Sequence, residues 1–176
     1  MPRIIWFSIA LISLALVLTP ASNAQFKPFL LPEFTQQGTQ SWINSSPLIK
    51  LDLKGQVVML DVWTFGCWNC YRSFPWLNSL EHAFGDLKVV GIHSPEFDFE
   101  KNKSSVTQKV KEFKITHPVM LDNDFRYWKQ LNNRYWPSFY LIDKTGLVRY
   151  RFIGEVHGDT SKSRDIEKAI QILLTE

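Results

Sequence analysis

Two cysteines separated by two residues, Cys67 and Cys70, are the side chains of this sequence best suited to chemistry. An apolar run at residues 57–62, typical of a buried strand, and a short turn at 64–66 precede them, and helical apolar spacing follows. In the first turn of a helix, positions i and i+3 are neighbours, so the thiols can form a small disulfide ring or stay reduced. The helix N-terminus favours a thiolate at Cys67. Thiol–disulfide exchange requires this arrangement.

Cys67 lies nearer the helix end and the solvent, so we predict that it is the nucleophile. Cys70, one turn deeper, would resolve the mixed disulfide. The sequence contains no further cysteine, and the pair closes too short a loop to stabilise a fold much, which favours a catalytic role over a structural one. A zinc site needs about four ligands, so we predict no metal and no cofactor besides the redox-active Cys67–Cys70 disulfide.

Asp61 stands inside the apolar run that leads to the cysteines. Burial raises the pKa of a carboxyl group, which would suit Asp61 to accept the proton of Cys70 during exchange. The alternative is an aspartate near a strand end that faces water. Asp61 is therefore a predicted catalytic residue whose role depends on its burial.

The periodicity of the chain predicts a βαβ unit, then a helix, a β-hairpin and a last helix. The predicted elements are strands at 57–62, 87–93, 119–121, 138–142 and 147–153, an edge strand at 48–53, and helices from Cys67, near 105–113 with a capping box at Ser105, at 124–131 and at 165–174. This order indicates an α/β fold with a central mixed β-sheet flanked by helices on both faces.

His93 and Glu96 follow the second parallel strand of that sheet. Ligand sites in such sheets lie beyond the carboxyl ends of the strands, so this loop should border the cysteines. The two residues are candidates for a proton relay, and a solvated loop is the alternative.

The 176 residues are 45% hydrophobic, enough for one domain with a core. The net charge of +3 is spread without a basic run, so we expect no nucleic-acid partner, and we expect a monomer. Arg3, an apolar stretch at 4–18 and small residues at 22–24 predict a signal peptide at 1–24, followed by an extended lead-in at 25–41 and one domain at 42–176. The protein would be periplasmic or secreted; an uncleaved N-terminal membrane anchor is the alternative.

Residues 61–75 resemble the active-site strand and helix of thioredoxins, with an acidic residue at Asp61 and a proline at Pro75. Segments 89–97 and 132–143 resemble exported thioredoxin-like proteins of the TlpA type, especially the thioredoxin domain of DipZ-like proteins. The resemblance covers residues 42–174 and implies a thioredoxin-like fold and thiol–disulfide oxidoreductase activity.

The same resemblance implies a cis peptide bond between Trp136 and Pro137 that faces the cysteines. The backbone of Trp136 would then pair with an extended substrate segment, whereas the alternative is a trans proline that opens an edge strand. Of the tryptophans near the motif, we expect Trp68 to be exposed and to contact substrate, and Trp63 to be buried.

The predicted function is reduction of disulfides in client proteins. DipZ-like proteins carry a membrane electron-transfer domain in the same chain, so we expect a separate membrane electron donor here, with cytochrome c biogenesis as one setting. A copper-binding carrier of the SCO kind and a thiol peroxidase of the peroxiredoxin kind stay open as alternatives. No positive charge lies between the cysteines, which predicts a reduction potential nearer about −270 mV than about −120 mV.

Overall fold

The computed structural model describes residues 26–176, and the signal peptide predicted at 1–24 lies outside the described residues. Seven strands and four helices follow one another along the described chain: β1 (Phe29–Leu30), β2 (Trp42–Ile43), β3 (Val57–Trp63), α1 (Trp68–Ala83), β4 (Leu87–His93), α2 (Lys103–Glu112), β5 (Val119–Leu121), α3 (Arg126–Gln130), β6 (Ser138–Ile142), β7 (Leu147–Ile153) and α4 (Ser161–Thr175). None of these helices has the length and apolar character needed to cross a membrane.

All seven strands form one mixed sheet in the order β1-β7-β6-β3-β4-β5-β2. β3 lies at its centre, parallel to β4 and antiparallel to β6. β5 is parallel to β4, while β7, β1 and β2 are antiparallel to their neighbours. The α/β class and the mixed sheet predicted from the order of elements are confirmed.

Helices cover both faces of this sheet, which explains why β3 and β4 are nearly continuous apolar runs. Side chains of α1, α2 and α4 pack in one core cluster with Met59. A second cluster joins Leu60 to Tyr127 of α3 and to Leu31. Because successive side chains of a strand point to opposite faces, neighbouring residues of β3 belong to different clusters.

Most strands have the predicted bounds, and β3 extends one residue beyond its predicted end. The edge strand predicted at 48–53 is wrong, because residues Lys50–Leu53 form a 3-10 helix. The Asp52 carboxylate accepts a hydrogen bond from the Ile49 N–H at 2.8 Å. Such a local contact between side chain and backbone favours a turn over an extended chain.

Two helices differ from their predictions at the N-terminus. α2 begins at Lys103 with Asn102 as its N-cap, so the predicted capping role of Ser105 is wrong. α3 is shorter than 124–131 because Phe125 adopts a left-handed backbone conformation, with φ of 57°. Tyr127 is the fully buried aromatic residue of this segment.

Near each end of the described chain, the structure contains a regular element that the sequence pattern did not predict: β1 and the first turn of α4. The segment predicted as an extended lead-in supplies β1, which pairs with β7, and buries Leu31 and Phe34. α4 begins four residues before its predicted start, where Thr160 Oγ1 accepts a hydrogen bond from the Ser163 N–H at 3.1 Å. The first turn of α4 contains no apolar residues, so the hydrophobic pattern of the sequence could not predict it.

Replacing Asn102 with alanine is expected to lower the free energy of unfolding by about 1 kcal/mol, because its side chain accepts a hydrogen bond from the Ser105 N–H at 3.0 Å. Urea denaturation followed by circular dichroism measures the change. Thr107→Ala is the matched control, since the Thr107 hydroxyl donates to the Lys103 carbonyl inside the same helix without capping it. This control should lose less than about 0.5 kcal/mol, and equal losses in the two variants would contradict the capping role.

Candidate active site

A disulfide between Cys67 and Cys70 lies at the start of α1, just beyond the end of β3, with the two Cα atoms 5.3 Å apart. Cys67 is the N-cap residue of α1, and its Sγ accepts a hydrogen bond from the Cys70 N–H at 3.2 Å. Cys67 is half-buried, whereas Cys70 is only 1% exposed. Cys67 is thus the cysteine that a substrate can reach, at a helix end that favours negative charge on its sulfur.

Asp61 lies on the face of β3 that α1 covers, because it alternates with Met59 and Trp63, which belong to the same core cluster as Cys70. It is buried, and its Oδ2 has no hydrogen-bond partner among residues 26–176. Burial raises the pKa of the Asp61 carboxyl to about 8. The alternative of a water-facing aspartate is wrong, and Asp61 can exchange a proton near neutral pH on the cysteine side of the sheet.

The two residues of the predicted proton relay occupy different environments. His93 ends β4, is fully buried and places its Nε2 3.4 Å from Thr64 Oγ1. Burial lowers the pKa of His93 to about 3, so its imidazole is neutral at physiological pH. The Glu96 side chain is exposed on the surface beside Cys67. His93 therefore packs in the interior against the turn that leads to the cysteines, whereas Glu96 lies on the surface beside Cys67.

A groove of about 390 Å³ opens beside the disulfide, lined by Gly66, Cys67, Trp68, Asn69, Glu96, Arg134, Tyr135 and Trp136. The peptide bond between Trp136 and Pro137 is cis, as the resemblance implied. The Trp136 indole donates a hydrogen bond to the Ser94 carbonyl at 3.0 Å, and its ring packs against Trp128 with centroids 4.4 Å apart. These contacts hold one wall of the groove in place next to Cys67.

Two aromatic side chains that line the groove, Trp68 and Tyr135, are exposed, and further exposed aromatic side chains lie on neighbouring elements of the chain. Trp68 is 66% exposed and packs against Tyr71 with ring centroids 5.3 Å apart. Phe97 and Phe99, on the loop after β4, are also exposed and stack at 5.7 Å. Trp63 is fully buried, so the expected exposure of Trp68 and burial of Trp63 are confirmed. Apolar surface of this kind beside a reactive disulfide can contact flexible protein segments.

Glu100 is a buried residue of this region that no sequence pattern reveals. Its carboxylate accepts hydrogen bonds from the N–H groups of Gly66 at 2.6 Å, Glu96 at 2.5 Å and Phe97 at 2.8 Å. It therefore ties the turn before Cys67 to the loop after β4. The loop has no periodicity, so nothing local distinguishes this glutamate from the exposed acidic residues beside it.

Comparison with known proteins adds independent evidence. Residues 30–151 match the AhpC/TSA family. Protein DipZ of Mycobacterium tuberculosis is 39% identical over 124 residues, which cover 68% of this chain and 18% of DipZ, so the chain spans less than a fifth of that relative. Thiol-disulfide oxidoreductase YkuV of Bacillus subtilis is 26% identical over 147 residues, 83% of this chain and 95% of YkuV.

The crystal structure of a thioredoxin-like superfamily protein has a TM-score of 0.72 and 26% identity to this chain, covering 84% of it and 97% of that protein. The thioredoxin-like fold and the similarity to DipZ, both expected from the resemblance, are confirmed. The chain belongs to the AhpC/TSA family, and it combines a thioredoxin-like fold with the CxxC cysteine pair typical of thiol–disulfide oxidoreductases.

Proposed function

We propose that this protein is a thiol–disulfide oxidoreductase that reduces disulfides in client proteins. The observation that carries the proposal is the asymmetry of the cysteine pair, in which Cys67 lines an open groove and Cys70 is buried. Similarity to YkuV over nearly the whole length of that oxidoreductase supports the same activity.

In the reduced protein, the Cys67 thiolate attacks one sulfur of a client disulfide, and the other client sulfur leaves as a thiolate. Cys70 then gives its proton to the ionised form of Asp61, which is the minority form at neutral pH because its pKa is about 8, and attacks the Cys67 sulfur. This step breaks the mixed disulfide and forms the Cys67–Cys70 disulfide of the structure. The client sulfurs take up two protons, the client gains two electrons, and a dithiol donor must reduce the pair for the next turnover.

The groove suits an extended client segment. Its lining includes the exposed Trp68 and the anchored Trp136. Pro137, which follows Trp136 through the cis peptide bond, is buried and does not line the groove. Backbone groups of a bound segment would align with Trp136, while its apolar side chains would contact the exposed aromatic rings. Glu96 and Arg134 at the groove add polar contacts that can select among clients.

The setting of this activity is also a proposal. The sequence of residues 1–24 supports export to a periplasmic or extracellular compartment. In that oxidising environment the dithiol would need an electron donor in the membrane, and cytochrome c maturation is one pathway that consumes such reductants. We propose a monomer without metal, nucleic-acid partner or cofactor beyond its own disulfide.

Insulin reduction with dithiothreitol as the electron source tests the activity directly, and precipitation of the insulin B chain reports it. Copper titration and hydrogen peroxide consumption on the same preparation test the two alternatives. Tight copper binding, or peroxide turnover, without insulin reduction would replace the proposed function.

The reduction potential of the Cys67–Cys70 pair is expected near about −270 mV, because the residues between the cysteines, Trp68 and Asn69, carry no positive charge to stabilise a thiolate. The buried Asp61 acts in the same direction when it is ionised. Equilibration in glutathione or dithiothreitol buffers, followed by tryptophan fluorescence, measures the potential. A value more positive than about −160 mV would place the protein among the oxidants.

A further inference from the structure

Glu100 presents a buried carboxylate to the turn that precedes the reactive cysteine. Three backbone N–H groups, from Gly66, Glu96 and Phe97, converge on its two oxygens at 2.5–2.8 Å. An ionised carboxylate only accepts hydrogen bonds, so it matches three converging donors, whereas an amide would turn its own N–H groups towards them. No lysine, arginine or histidine of the described residues forms an ion pair with Glu100.

The position of this carboxylate bears directly on Cys67. Gly66 is the residue before Cys67, and its N–H is held by Glu100 at 2.6 Å. A side chain at position 66 would meet Glu100 Oε1. The glycine thus allows the carboxylate to approach the backbone closely. The buried Glu100 carboxylate is therefore hydrogen-bonded to the residue that directly precedes Cys67 in the chain.

We propose that Glu100 is a positioning residue of the dithiol. It fixes the turn before Cys67, and its buried negative charge near Cys67 makes the disulfide harder to reduce. The inference deepens the proposed function and rests on it. A negative charge opposes a nearby thiolate, and the burial of Glu100 reduces the screening of its charge by water. Destabilising the thiolate disfavours the reduced form, which makes the pair a stronger reductant.

Glu100→Gln removes the charge and keeps the length of the side chain. We expect its equilibrium constant with glutathione to shift about tenfold towards the reduced form, which corresponds to a potential about 30 mV more positive. The pH at which Cys67 becomes reactive with iodoacetamide should fall in parallel. An equilibrium constant within twofold of the wild-type value, together with unchanged Cys67 reactivity, would overturn the proposal.

Glu100→Asp keeps the charge but is one methylene shorter, so it separates charge from tethering. We expect its equilibrium constant to stay within about threefold of wild type, while insulin reduction slows about tenfold because the turn before Cys67 is no longer fixed. Should the glutamine variant fail to fold, this variant decides alone, and a wild-type rate of insulin reduction would overturn the positioning role.

Asp143→Asn is the matched control. Asp143 is also buried and accepts hydrogen bonds from the Thr145 and Leu147 N–H groups at 2.9 and 3.0 Å. It differs from Glu100 in forming an ion pair with Arg149 at 3.2 Å, and it lies in the turn between β6 and β7, away from the disulfide. It should lose stability without a change in potential, and an equal shift in potential would overturn the proposal. Failure of the wild-type protein to reduce insulin would refute the proposed function. Glutathione equilibration needs no client, so it would still test the effect of Glu100 on the reduction potential.

Discussion

Insulin reduction is expected to fall more than about 1,000-fold when Cys67 is replaced by alanine, because the step that breaks the client disulfide then lacks its nucleophile. Cys70 cannot take over this step, since it is 1% exposed and packs in the core cluster of α1. Turbidity of the released insulin B chain measures the loss, and circular dichroism checks that the variant is folded.

Cys70→Ala is the matched variant for this experiment. It keeps the Cys67 nucleophile and removes the resolving thiol, so mixed disulfides with clients should accumulate on Cys67. They would appear as high-mass bands on a non-reducing gel that disappear on reduction. Bands of equal strength on the Cys67→Ala protein would show that Cys70 is the attacking residue.

Asp61→Asn is expected to stabilise the protein, and increasingly so as the pH rises. The ordinary pKa of this carboxyl is 3.8 and burial raises it to about 8, so between these values the folded protein keeps a proton that the unfolded chain releases. Through this group alone the wild-type protein loses up to about 1.4 kcal/mol of stability per pH unit from about pH 4 to pH 8, and asparagine avoids the loss. Urea denaturation at pH 5 and pH 8 measures the gap, and a gap that does not widen would contradict the burial of an ionisable Asp61.

Asp122→Asn separates this effect from the loss of a buried carboxyl in general. Asp122 is also buried, but it accepts hydrogen bonds from Ser94 Oγ, the Tyr127 N–H and the Trp128 N–H. Asparagine cannot accept all three, so we expect this variant to be less stable at both pH values.

The same Asp61→Asn variant should also slow insulin reduction by about 100-fold near neutral pH, because Cys70 loses its proton acceptor. The rate is compared with wild type from pH 6 to pH 9. Equal rates across this range would contradict the role of Asp61 and leave only its effect on stability.

Much of the fold could be predicted because its central strands are buried on both faces. β4 and β6 are mostly apolar in sequence, and the structure gives them the predicted bounds. Asp61 could be predicted for the same reason, since a carboxyl inside such a run is conspicuous. The pairing of Cys67 with Cys70 could be predicted from their spacing alone, because positions i and i+3 are neighbours in the first turn of a helix.

Other features depend on contacts between residues far apart in the chain, which local patterns do not report. Glu100 reaches Gly66 across 34 positions, so its burial follows from how two loops meet and not from its neighbours. His93 looked like a proton carrier at the end of a strand, but packing against Trp63 and Phe65 removes it from water. The 3-10 helix at Lys50–Leu53 likewise depends on one side-chain contact and not on periodicity.

The two outermost strands of the sheet, β1 and β2, are only two residues long. β1 covers Leu147 and Val148, and the rest of β7 carries Arg149 and Arg151 along its border. Short edge strands and charged side chains leave few unpaired backbone N–H and C=O groups with which a strand of another chain can pair. A long open border would be a template for strands of other chains and therefore a site of aggregation. The short borders of this sheet therefore limit edge-to-edge association of the protein with other chains.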